Sequence, residues 1–552
     1  MEIKNDNAAF RFNFVSEIYQ NGVEAAKRNV LDKIYPNDAE LHQNGDIHIH
    51  DLEGYGKIHN CCMPRLDKWL HNNIDNYRND DKGVIIQTFE LIKNLIVSLA
   101  MCQSGGIGFA NFDHDISGCF SEFSVDYNSV NMQLVGVCID SFLHWINTTY
   151  TRNCREPYYV TLNIGIDDSE WGRFIAKELL DCHYNAPNYF MRPNIVFKVK
   201  NSINGHGAIN YDLFQLALRN TSKRMVPTYL LLDSKPNEKY DPSNLAIMGC
   251  RTRVYQNLNG NEGAIGRANI AVVSINLPRL ALRTKDQQLF YTELDSMLNA
   301  AKEALLRKAD ALRKGGKEYL GFIMNNGILL AKNVEEMVSM GTLSVGFIGL
   351  SECVEVLSGN RVYENAESKT LSLQIMDFIG KKVDGFRKET GMNFTVLGTP
   401  AEMLSGRFCE IDKKQYPNGI QEKGFYTNSF HVNVDSRVSI YKKIELEAPF
   451  HSICNGGCIT YIELESVPLN NTLAIKDIIE YAVEKGVSYL GINFPYDVCV
   501  DCGEFGTFDT CPKCGSNNIR RLRRVSGYLE ELSHFTMGKQ AEEKARRSNC
   551  LT

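Results

Sequence analysis

Residues 523–529 have the sequence Arg-Arg-Val-Ser-Gly-Tyr-Leu, and they follow two cysteine pairs, Cys499-Val-Asp-Cys502 and Cys511-Pro-Lys-Cys514. From about residue 498 to residue 522 the chain is rich in cysteine, glycine and polar residues and has little apolar periodicity. A segment of this kind is typical of a small metal-stabilised module outside the main core. We therefore expect a large body, residues 1–497, followed by a small C-terminal domain, residues 498–552.

The two cysteine pairs are separated by eight residues, and each is followed by a glycine. Four thiolates form the closed tetrahedral set that structural zinc prefers, and each CxxC places two sulfurs on one side of the ion. Disulfides or a redox-active CxxC are the alternatives. The motif predicts structural zinc at Cys499, Cys502, Cys511 and Cys514. It does not define a function, because zinc ribbons also occur in proteins that bind nucleic acid.

The body of the chain alternates helical and strand patterns, which predicts a mixed α/β fold. Apolar residues at three- and four-residue steps indicate helices, and short β-rich runs indicate strands. The predicted helices are Phe14–Leu31, Leu289–Lys314, Ser368–Lys388, Ile475–Lys485 and Lys539–Arg547, and the predicted strands are Tyr158–Ile166, Asn194–Val199, Ala271–Ile275, Phe394–Leu397 and Cys458–Leu464.

The composition is that of an ordinary globular protein, with 552 residues, 43% hydrophobic and 23% charged. A net charge of -6 argues against nucleic acid bound through bulk electrostatics. The most apolar stretch, Leu91–Cys102, is broken by Lys93 and Asn94, and the N-terminus has no signal pattern, so we expect a cytoplasmic protein without a membrane span. Seventeen cysteines in such a chain favour metal ligands, catalytic thiols and buried thiols over disulfides.

Gly527, in the stretch quoted first, is a candidate for a residue that stores a radical. Without a side chain, its α-carbon can flatten so that an unpaired electron delocalises into both flanking amides, and glycine tolerates the backbone geometry that such a loop needs. Taken alone, the segment fits an ordinary turn equally well.

A second stretch, Ile247-Met-Gly-Cys-Arg-Thr252, decides between these alternatives. Together with the segment around Gly527 it resembles anaerobic (class III) ribonucleotide reductase, a glycyl-radical enzyme family. Further blocks carry the same resemblance in the same order: His48-Ile-His-Asp-Leu52, His59-Asn-Cys61, Gln103-Ser-Gly-Gly106, Glu156-Pro-Tyr-Tyr-Val-Thr161, Gly266-Arg-Ala-Asn269, Ile275-Asn-Leu-Pro-Arg279, Thr399-Pro-Ala-Glu402 and Tyr426-Thr-Asn-Ser-Phe-His431.

The resemblance implies a ten-stranded α/β barrel with a central finger loop that carries Cys250 at its tip. Gly527 would enter the barrel on a second loop beside the zinc module. Cys250 would form the thiyl radical that removes hydrogen from C3′ of a ribonucleotide, water would leave from C2′, and Cys61 would be the second catalytic cysteine. Cys62, directly adjacent, is the alternative for that role.

The resemblance also indicates a reductant and the residues near it. Met248 resembles the subgroup that takes reducing equivalents from formate, while a thioredoxin-type protein is the other option. Asn269 is similar to the polar residue near the substrate hydroxyls in that subgroup, with Asn276 as the competing alignment. Triphosphates are the usual substrates of the family, although the residues alone do not separate them from diphosphates.

Several residues are expected to contact the substrate: His48, His50, Thr252, Asn276 and Thr399. His48 and His50 share one face of a strand, where a metal site is the alternative. Thr399 and Glu402 have the spacing of a capping box with proline at the first helical position. They predict either a plain helix start or a helix N-terminus that presents N–H groups to a substrate phosphate.

The resemblance implies further partners: a separate iron–sulfur, S-adenosylmethionine-dependent activase, nucleoside triphosphate substrates, (d)NTP specificity effectors and a second copy of the chain in a homodimer. The first block begins at residue 48, so we expect no N-terminal ATP-cone. Two rival functions are another glycyl-radical enzyme, such as a pyruvate formate-lyase-like acyltransferase, and a zinc-ribbon protein that binds nucleic acid. The position of Cys61-Cys62 near the N-terminus disfavours the first, and the acidic net charge disfavours the second.

Overall fold

The computed structural model describes residues 14–33, 35–75, 80–151, 157–188, 190–417, 419–524 and 527–549. Its helices are α1 (Phe14–Lys33), α2 (Pro36–Asn44), α3 (Leu66–Asn73), α4 (Asp81–Ala100), α5 (Phe112–Glu122), α6 (Ser129–Thr148), α7 (Glu170–Asn185), α8 (Asn201–Asn204), α9 (Tyr211–Arg224), α10 (Leu277–Thr284), α11 (Gln287–Gly315), α12 (Gly321–Asn325), α13 (Val334–Met340), α14 (Leu350–Ser358), α15 (Ala366–Thr390), α16 (Leu404–Gln415), α17 (Ile440–His451), α18 (Thr472–Lys485) and α19 (Met537–Ala545).

The strands are β1 (Ile47–Ile49), β2 (Cys61–Met63), β3 (Ile107–Phe109), β4 (Val160–Ile164), β5 (Asn194–Val199), β6 (Thr228–Leu231), β7 (Arg267–Asn276), β8 (Thr342–Ile348), β9 (Asn393–Gly398), β10 (Thr460–Glu463), β11 (Tyr489–Asn493), β12 (Tyr496–Cys499), β13 (Phe505–Gly506), β14 (Ile519–Arg524) and β15 (Leu529–Glu531). Every helix and strand predicted above is present, with ends that differ by at most a few residues. The predicted apolar face of α11 is buried, from Leu294 to Leu312.

Ten strands form one continuous path, in the order β10-β11-β6-β5-β4-β3-β2-β7-β8-β9, and β1 pairs with β7 beside it. Strands β2 to β6 are parallel. The other five path strands run in the opposite direction, because β7 is antiparallel to β2 and β11 is antiparallel to β6. The path is therefore two five-stranded parallel halves, with helices packed outside. This is the predicted α/β fold, with β1 as an additional strand.

The two ends of the path, β9 and β10, are joined by the backbone of residues 455–457. The N–H of Gly456 donates to the carbonyl of Val396, 2.8 Å away, and the N–H of Gly398 donates to the carbonyl of Gly457, 2.9 Å away. The N–H of Arg253, on the segment that connects β6 and β7, donates to the carbonyl of Gly456. This connecting segment, residues 232–266, is the finger loop, and these bonds fix its base where the sheet ends meet.

The C-terminal region adds a second sheet of four antiparallel strands, in the order β13-β12-β14-β15. It begins at Tyr496, two residues before the expected domain boundary. Strands β14 and β15 form a hairpin in which Arg524 pairs with Leu529. Gly527 and Tyr528 therefore lie at the tip of this hairpin, and Val525 and Ser526 lie outside the described residues.

Within the part of the chain that the structure describes, helix α4 alone is long and apolar enough to cross a membrane by length and composition. Its residues from Val84 to Leu99 that face inward are fully buried in the main core, including Ile92 and Ile96. Buried core helices of globular proteins can be equally long and apolar.

Candidate active site

The tip of the finger loop is a tight turn held by side chains of β4. The backbones of Met248 and Thr252 exchange hydrogen bonds of 3.0 and 3.1 Å, which closes the turn around Cys250. The Asn163 side chain both donates to the carbonyl of Ile247 and accepts from its N–H, each at 2.9 Å. These bonds satisfy buried backbone groups that a loop inside a barrel would otherwise leave unpaired.

Gly249 completes the turn because it has a φ of 60°, the left-handed region that glycine adopts without steric cost. Its carbonyl accepts a hydrogen bond of 2.6 Å from the Thr161 hydroxyl. Hydrogen bonds of the residues on both sides of Cys250 thus hold it at the tip of the turn.

The structure brings Gly527 and Cys250 together. A β-carbon added to Gly527 would overlap the Cβ of Cys250 and would lie 2.7 Å from its Cα. Only a residue without a side chain fits in this position. Arg524 holds the hairpin tip, since its guanidinium donates to the carbonyl of Gly527 at 2.7 Å and to Oδ1 of Asn493 at 2.8 Å.

Cys61, on β2, also lies beside the finger tip. Its Sγ accepts a hydrogen bond of 3.2 Å from the N–H of Gly106, and β-carbons added to Gly105 and Gly249 would lie 2.5 and 3.5 Å from this sulfur. The adjacent Cys62 points elsewhere, because its Sγ donates to Oε1 of Gln103 at 2.9 Å.

A cavity of about 110 Å³ lies between these groups. Its lining includes both thiols, together with residues from β1, the 104–106 segment, β9 and the hairpin tip. These are His48, His50, Asp51, Asn60, Cys61, Ser104, Gly105, Gly106, Tyr159, Gly249, Cys250, Thr252, Val272, Leu397, Pro400, Ala401, Glu402, Met403, Leu404 and Tyr528. Of the two candidate second cysteines, the cavity is lined by Cys61 and not by Cys62.

Three of the expected substrate-contacting residues, His48, His50 and Thr252, line the cavity. Thr399 is connected to it through a hydrogen-bond chain, in which the Ser274 hydroxyl lies 2.9 Å from both the Thr399 hydroxyl and Nε2 of His50. The rings of His48 and His50 are 4.6 Å apart. Within the described residues, the metal-ligand geometry is found at the four C-terminal cysteines and not at this pair.

Asn276 lies outside the cavity, so the expectation that it contacts substrate is wrong. Its side chain caps α10 by accepting from the N–H of Arg279, and it donates to the carbonyl of Gly45 and to Asp412. The residue is fully buried with its donors and acceptor engaged, which leaves nothing for a ligand. The structure thereby favours Asn269 over Asn276.

Asn269 and Met248 are fully buried and do not line the cavity, but each neighbours a residue that does: Asn269 pairs with Cys61 across strands, and Met248 precedes Gly249. The Asn269 amide donates to the hydroxyls of Thr342 and Ser344 at 2.8 and 2.7 Å, while its Oδ1 has no hydrogen-bond partner among the described residues. Asn269 is paired with Cys61 across strands β7 and β2, so both side chains point to the same face of the sheet.

The predicted capping box at Thr399 and Glu402 is wrong. Helix α16 begins at Leu404, after a turn in which Ala401 has a φ of 59°. The Thr399 hydroxyl bonds to Ser274 instead of a helix N–H. The turn itself does line the cavity, from Pro400 to Leu404, so this segment reaches the site through a loop rather than through a cap.

Burial keeps both thiols protonated. It raises the pKa of Cys250 to about 11, against the opposing effect of Arg251, and it raises the pKa of Cys61 further. A thiolate nucleophile needs a lowered pKa. Two neutral S–H groups are suited to hydrogen-atom transfer instead.

Sequence patterns gave no role to two tyrosines that line the cavity, Tyr159 and Tyr528. Their rings pack at 4.8 Å between centroids. Tyr528 directly follows Gly527, and this adjacency was the available signal. Tyr159 lies in the block Glu156-Pro-Tyr-Tyr-Val-Thr161, but its contact with Tyr528 joins residues far apart in the chain and has no local signal.

The four cysteines of the C-terminal module lie with their sulfur atoms within 4.8 Å of one another. A tetrahedral zinc site with Zn–S bonds near 2.3 Å requires sulfurs about 3.8 Å apart. The closest pairs, Cys499–Cys514 and Cys502–Cys511, are 3.6 and 3.5 Å apart. All fifteen cysteines of the described residues are free thiols. The arrangement fits a metal ion, and the distances are too long for disulfides.

Known proteins share this architecture. Residues 5–548 match the family model described as anaerobic ribonucleoside-triphosphate reductase. The chain belongs to this family. A curated relative of that name from Escherichia coli (strain K12) is 32% identical over 575 aligned residues, which cover 94% of this chain and 80% of the relative.

Solved structures support the fold of this anaerobic ribonucleoside-triphosphate reductase family member. One anaerobic ribonucleotide reductase superposes with a TM-score of 0.74 at 16% identity, covering 97% of this chain and 88% of the other. The Thermotoga maritima enzyme in complex with dATP and CTP superposes with a TM-score of 0.72 at 15% identity, covering 96% and 90%.

Proposed function

We propose that this chain reduces ribonucleoside triphosphates to 2′-deoxyribonucleotides for DNA synthesis by a radical mechanism under anaerobic conditions, with formate as the reductant. The observation that carries the proposal is the contact between Gly527 and Cys250 beside a cavity that also contains Cys61. Family membership supports the substrate and the reaction.

Gly527 stores the radical, and Cys250 exchanges it with the substrate. Because the two residues are in direct contact, a hydrogen atom passes between the Cys250 sulfur and the Gly527 α-carbon without an intermediate carrier. The thiyl radical on Cys250 then removes the hydrogen at C3′. Burial of both residues excludes water and oxygen, which would quench such intermediates.

Cys61 acts from the opposite side of the cavity as the second cysteine. Its neutral S–H delivers hydrogen to the sugar after the C2′ hydroxyl has left as water. Formate then restores the site: it loses two electrons and becomes carbon dioxide, and with one proton the overall reaction replaces the C2′ hydroxyl by hydrogen. Met248 and Asn269, buried next to residues that line the cavity, are the residues that we assign to the formate step.

His48, His50 and Thr252 contact the substrate from the cavity wall, and Thr399 supports them through Ser274. The pKa of His48 lies well below its usual value, because of burial and of its neighbour His50. A neutral imidazole both donates and accepts hydrogen bonds, as contact with sugar hydroxyls requires.

The remaining partners follow from the same scheme. Structural zinc at the four cysteines holds the sheet that carries the hairpin, and an S-adenosylmethionine-dependent iron–sulfur activase installs the radical. Nucleotides act as specificity effectors in a homodimer. Free cysteines throughout the described residues support a reducing, cytoplasmic setting.

The test is anaerobic activation followed by electron paramagnetic resonance and by CTP turnover with formate. Gly527→Ala should lose the radical signal and turnover, whereas Cys250→Ala should keep the signal and lose turnover. A normal glycyl signal in Gly527→Ala would contradict the assignment.

A matched pair tests the second cysteine. Cys61→Ala should abolish turnover, whereas Cys62→Ala, which changes the adjacent residue outside the cavity, should retain most of it. Omitting formate should stop wild-type turnover. Full activity with a thioredoxin-type protein alone would replace formate as the reductant but leave the radical path intact.

A further inference from the structure

The Tyr528 hydroxyl is buried and makes no hydrogen bond of ordinary geometry within the described residues. Its polar neighbour is the Thr161 hydroxyl, which donates its own proton to the carbonyl of Gly249. It lies at the cavity wall next to both catalytic thiols. Buried hydroxyls are nearly always paired, because leaving one unpaired costs free energy that folding must offset. An unpaired hydroxyl that lines a cavity indicates a ligand that completes it.

The surrounding backbone makes room for this hydroxyl. A β-carbon added to Gly106 would lie 2.7 Å from the Tyr528 oxygen, and one added to Gly249 would lie 3.7 Å from it. The N–H of the same Gly106 donates a hydrogen bond to the Cys61 sulfur, and Cys250 directly follows Gly249 in the chain. The oxygen is therefore placed between the two thiols.

The ring of Tyr528 is fixed before any ligand binds. It packs on Tyr159, with centroids 4.8 Å apart, and the Arg192 guanidinium lies over the Tyr159 ring, 5.9 Å from its centroid. Burial, with the nearby Cys250, holds the pKa of Tyr528 well above its usual value. The group is thus a neutral donor, whereas the two thiols are weak hydrogen-bonding groups.

We propose that the Tyr528 hydroxyl donates a hydrogen bond to a ribose hydroxyl of the nucleotide bound between Cys61 and Cys250. This inference rests on the proposed function, and it makes the residue after the radical glycine a substrate-binding residue. The hydrogen bond orients the sugar when the hairpin tip is in place. The segment Gly527-Tyr528 therefore both stores the radical and binds the substrate.

The test measures anaerobic binding of CTP, 2′-deoxyCTP and 3′-deoxyCTP to the unactivated chain by calorimetry. Tyr528→Phe keeps the ring and removes the hydroxyl, and Tyr158→Phe is the control, since Tyr158 is a buried tyrosine that stacks on Trp145 outside the cavity. We expect Tyr528→Phe to bind CTP roughly five-fold more weakly, the effect of one neutral hydrogen bond. Tyr158→Phe should bind CTP as wild type does.

The analogues identify the oxygen. If Tyr528 contacts one ribose hydroxyl, Tyr528→Phe and wild type should have the same affinity for the analogue that lacks this hydroxyl. A weaker affinity of Tyr528→Phe for both analogues would overturn the proposal. Unchanged CTP affinity in Tyr528→Phe would overturn it as well while leaving the proposed function intact. Absence of CTP binding to the wild type would instead overturn the proposed function. Equal melting temperatures of Tyr528→Phe and wild type would show that the variant is folded.

Discussion

The hairpin that carries Gly527 is held by a buried ion pair, and its removal gives a quantitative prediction. Arg192 donates to Glu530 at 2.8 Å, and both side chains are 5% exposed. Glu530 lies three residues after Gly527, and its other oxygen is 2.9 Å from Nδ1 of His534. We predict that Glu530→Gln releases the hairpin from the barrel.

The size of the effect follows from the pKa of Glu530. Burial alone would raise it, but Arg192 and His534 outweigh burial and lower the pKa from 4.5 to about 2. At about 1.4 kcal/mol for each pH unit, the ionised form is favoured by roughly 3 kcal/mol. Removing one partner of a buried pair costs about 3–5 kcal/mol, because the other charge stays buried. The two routes agree on about 3 kcal/mol.

The assay is anaerobic hydrogen–deuterium exchange of peptides covering strands β14 and β15. At neutral pH a loss of about 3 kcal/mol predicts exchange roughly 100-fold faster in Glu530→Gln. The control is Glu531→Gln on the same strand, because the Arg520–Glu531 pair is 35% and 21% exposed and exposed pairs contribute about 1 kcal/mol or less. It should accelerate exchange only a few-fold.

The pH dependence of hairpin stability tests the direction of the Glu530 effect. A lowered carboxyl pKa stabilises the hairpin above about pH 4.5, and this contribution disappears as the pH falls towards 2. The difference between wild type and Glu530→Gln should shrink over that window. Equal exchange in Glu530→Gln and Glu531→Gln at neutral pH would refute the reasoning, as would a double variant Arg192→Met/Glu530→Leu that exchanges no more slowly than Glu530→Gln.

Three further predictions concern the site and the zinc module. Gly106→Ala should lower turnover at least 100-fold, because the new methyl group would lie 2.6 Å from the Gly249 Cα. The control Gly118→Ala should leave steady-state turnover unchanged, because nothing lies within 4 Å of the added methyl group. Similar turnover rates in the two variants would contradict the packing. Alkylation of Cys250, followed by mass spectrometry, should rise about ten-fold per pH unit to at least pH 10, since its pKa is about 11, and levelling near pH 9 would show an unshifted thiol. Cys511→Ala should lower bound zinc from one per chain and reduce turnover while sparing CTP binding; full zinc content by atomic absorption would exclude this cysteine as a ligand.

Local patterns predicted the α/β body and the zinc module because their signals lie within short stretches. The apolar face of α11 is recognisable from the sequence, because its apolar residues recur with the period of a helix. The two CxxC pairs likewise carry their ligand geometry in their spacing. The same local reasoning failed at Thr399 and Glu402, where a capping pattern lies in a loop before α16, because the Thr399 hydroxyl bonds to Ser274 across strands.

The sequence by itself singled out the candidate groups, namely the segments around Gly527 and Cys250, the adjacent pair Cys61-Cys62 and the four cysteines of the two CxxC pairs. The tertiary structure decided which of them meet. Gly527 and Cys250 are 277 positions apart, and their contact depends on the hairpin and the finger loop reaching the same point inside the barrel.

The tertiary structure also decided between pairs of candidate residues that the sequence could not separate. Side-chain direction separates Cys61, in the cavity, from Cys62, bonded to Gln103, and separates Asn269 from the helix cap Asn276. The partner of Glu530, Arg192, lies 338 positions away, and no local pattern indicates such a pair. Residue types and spacing determine chemistry within a few turns of chain, whereas contacts across the barrel depend on how the sheet closes.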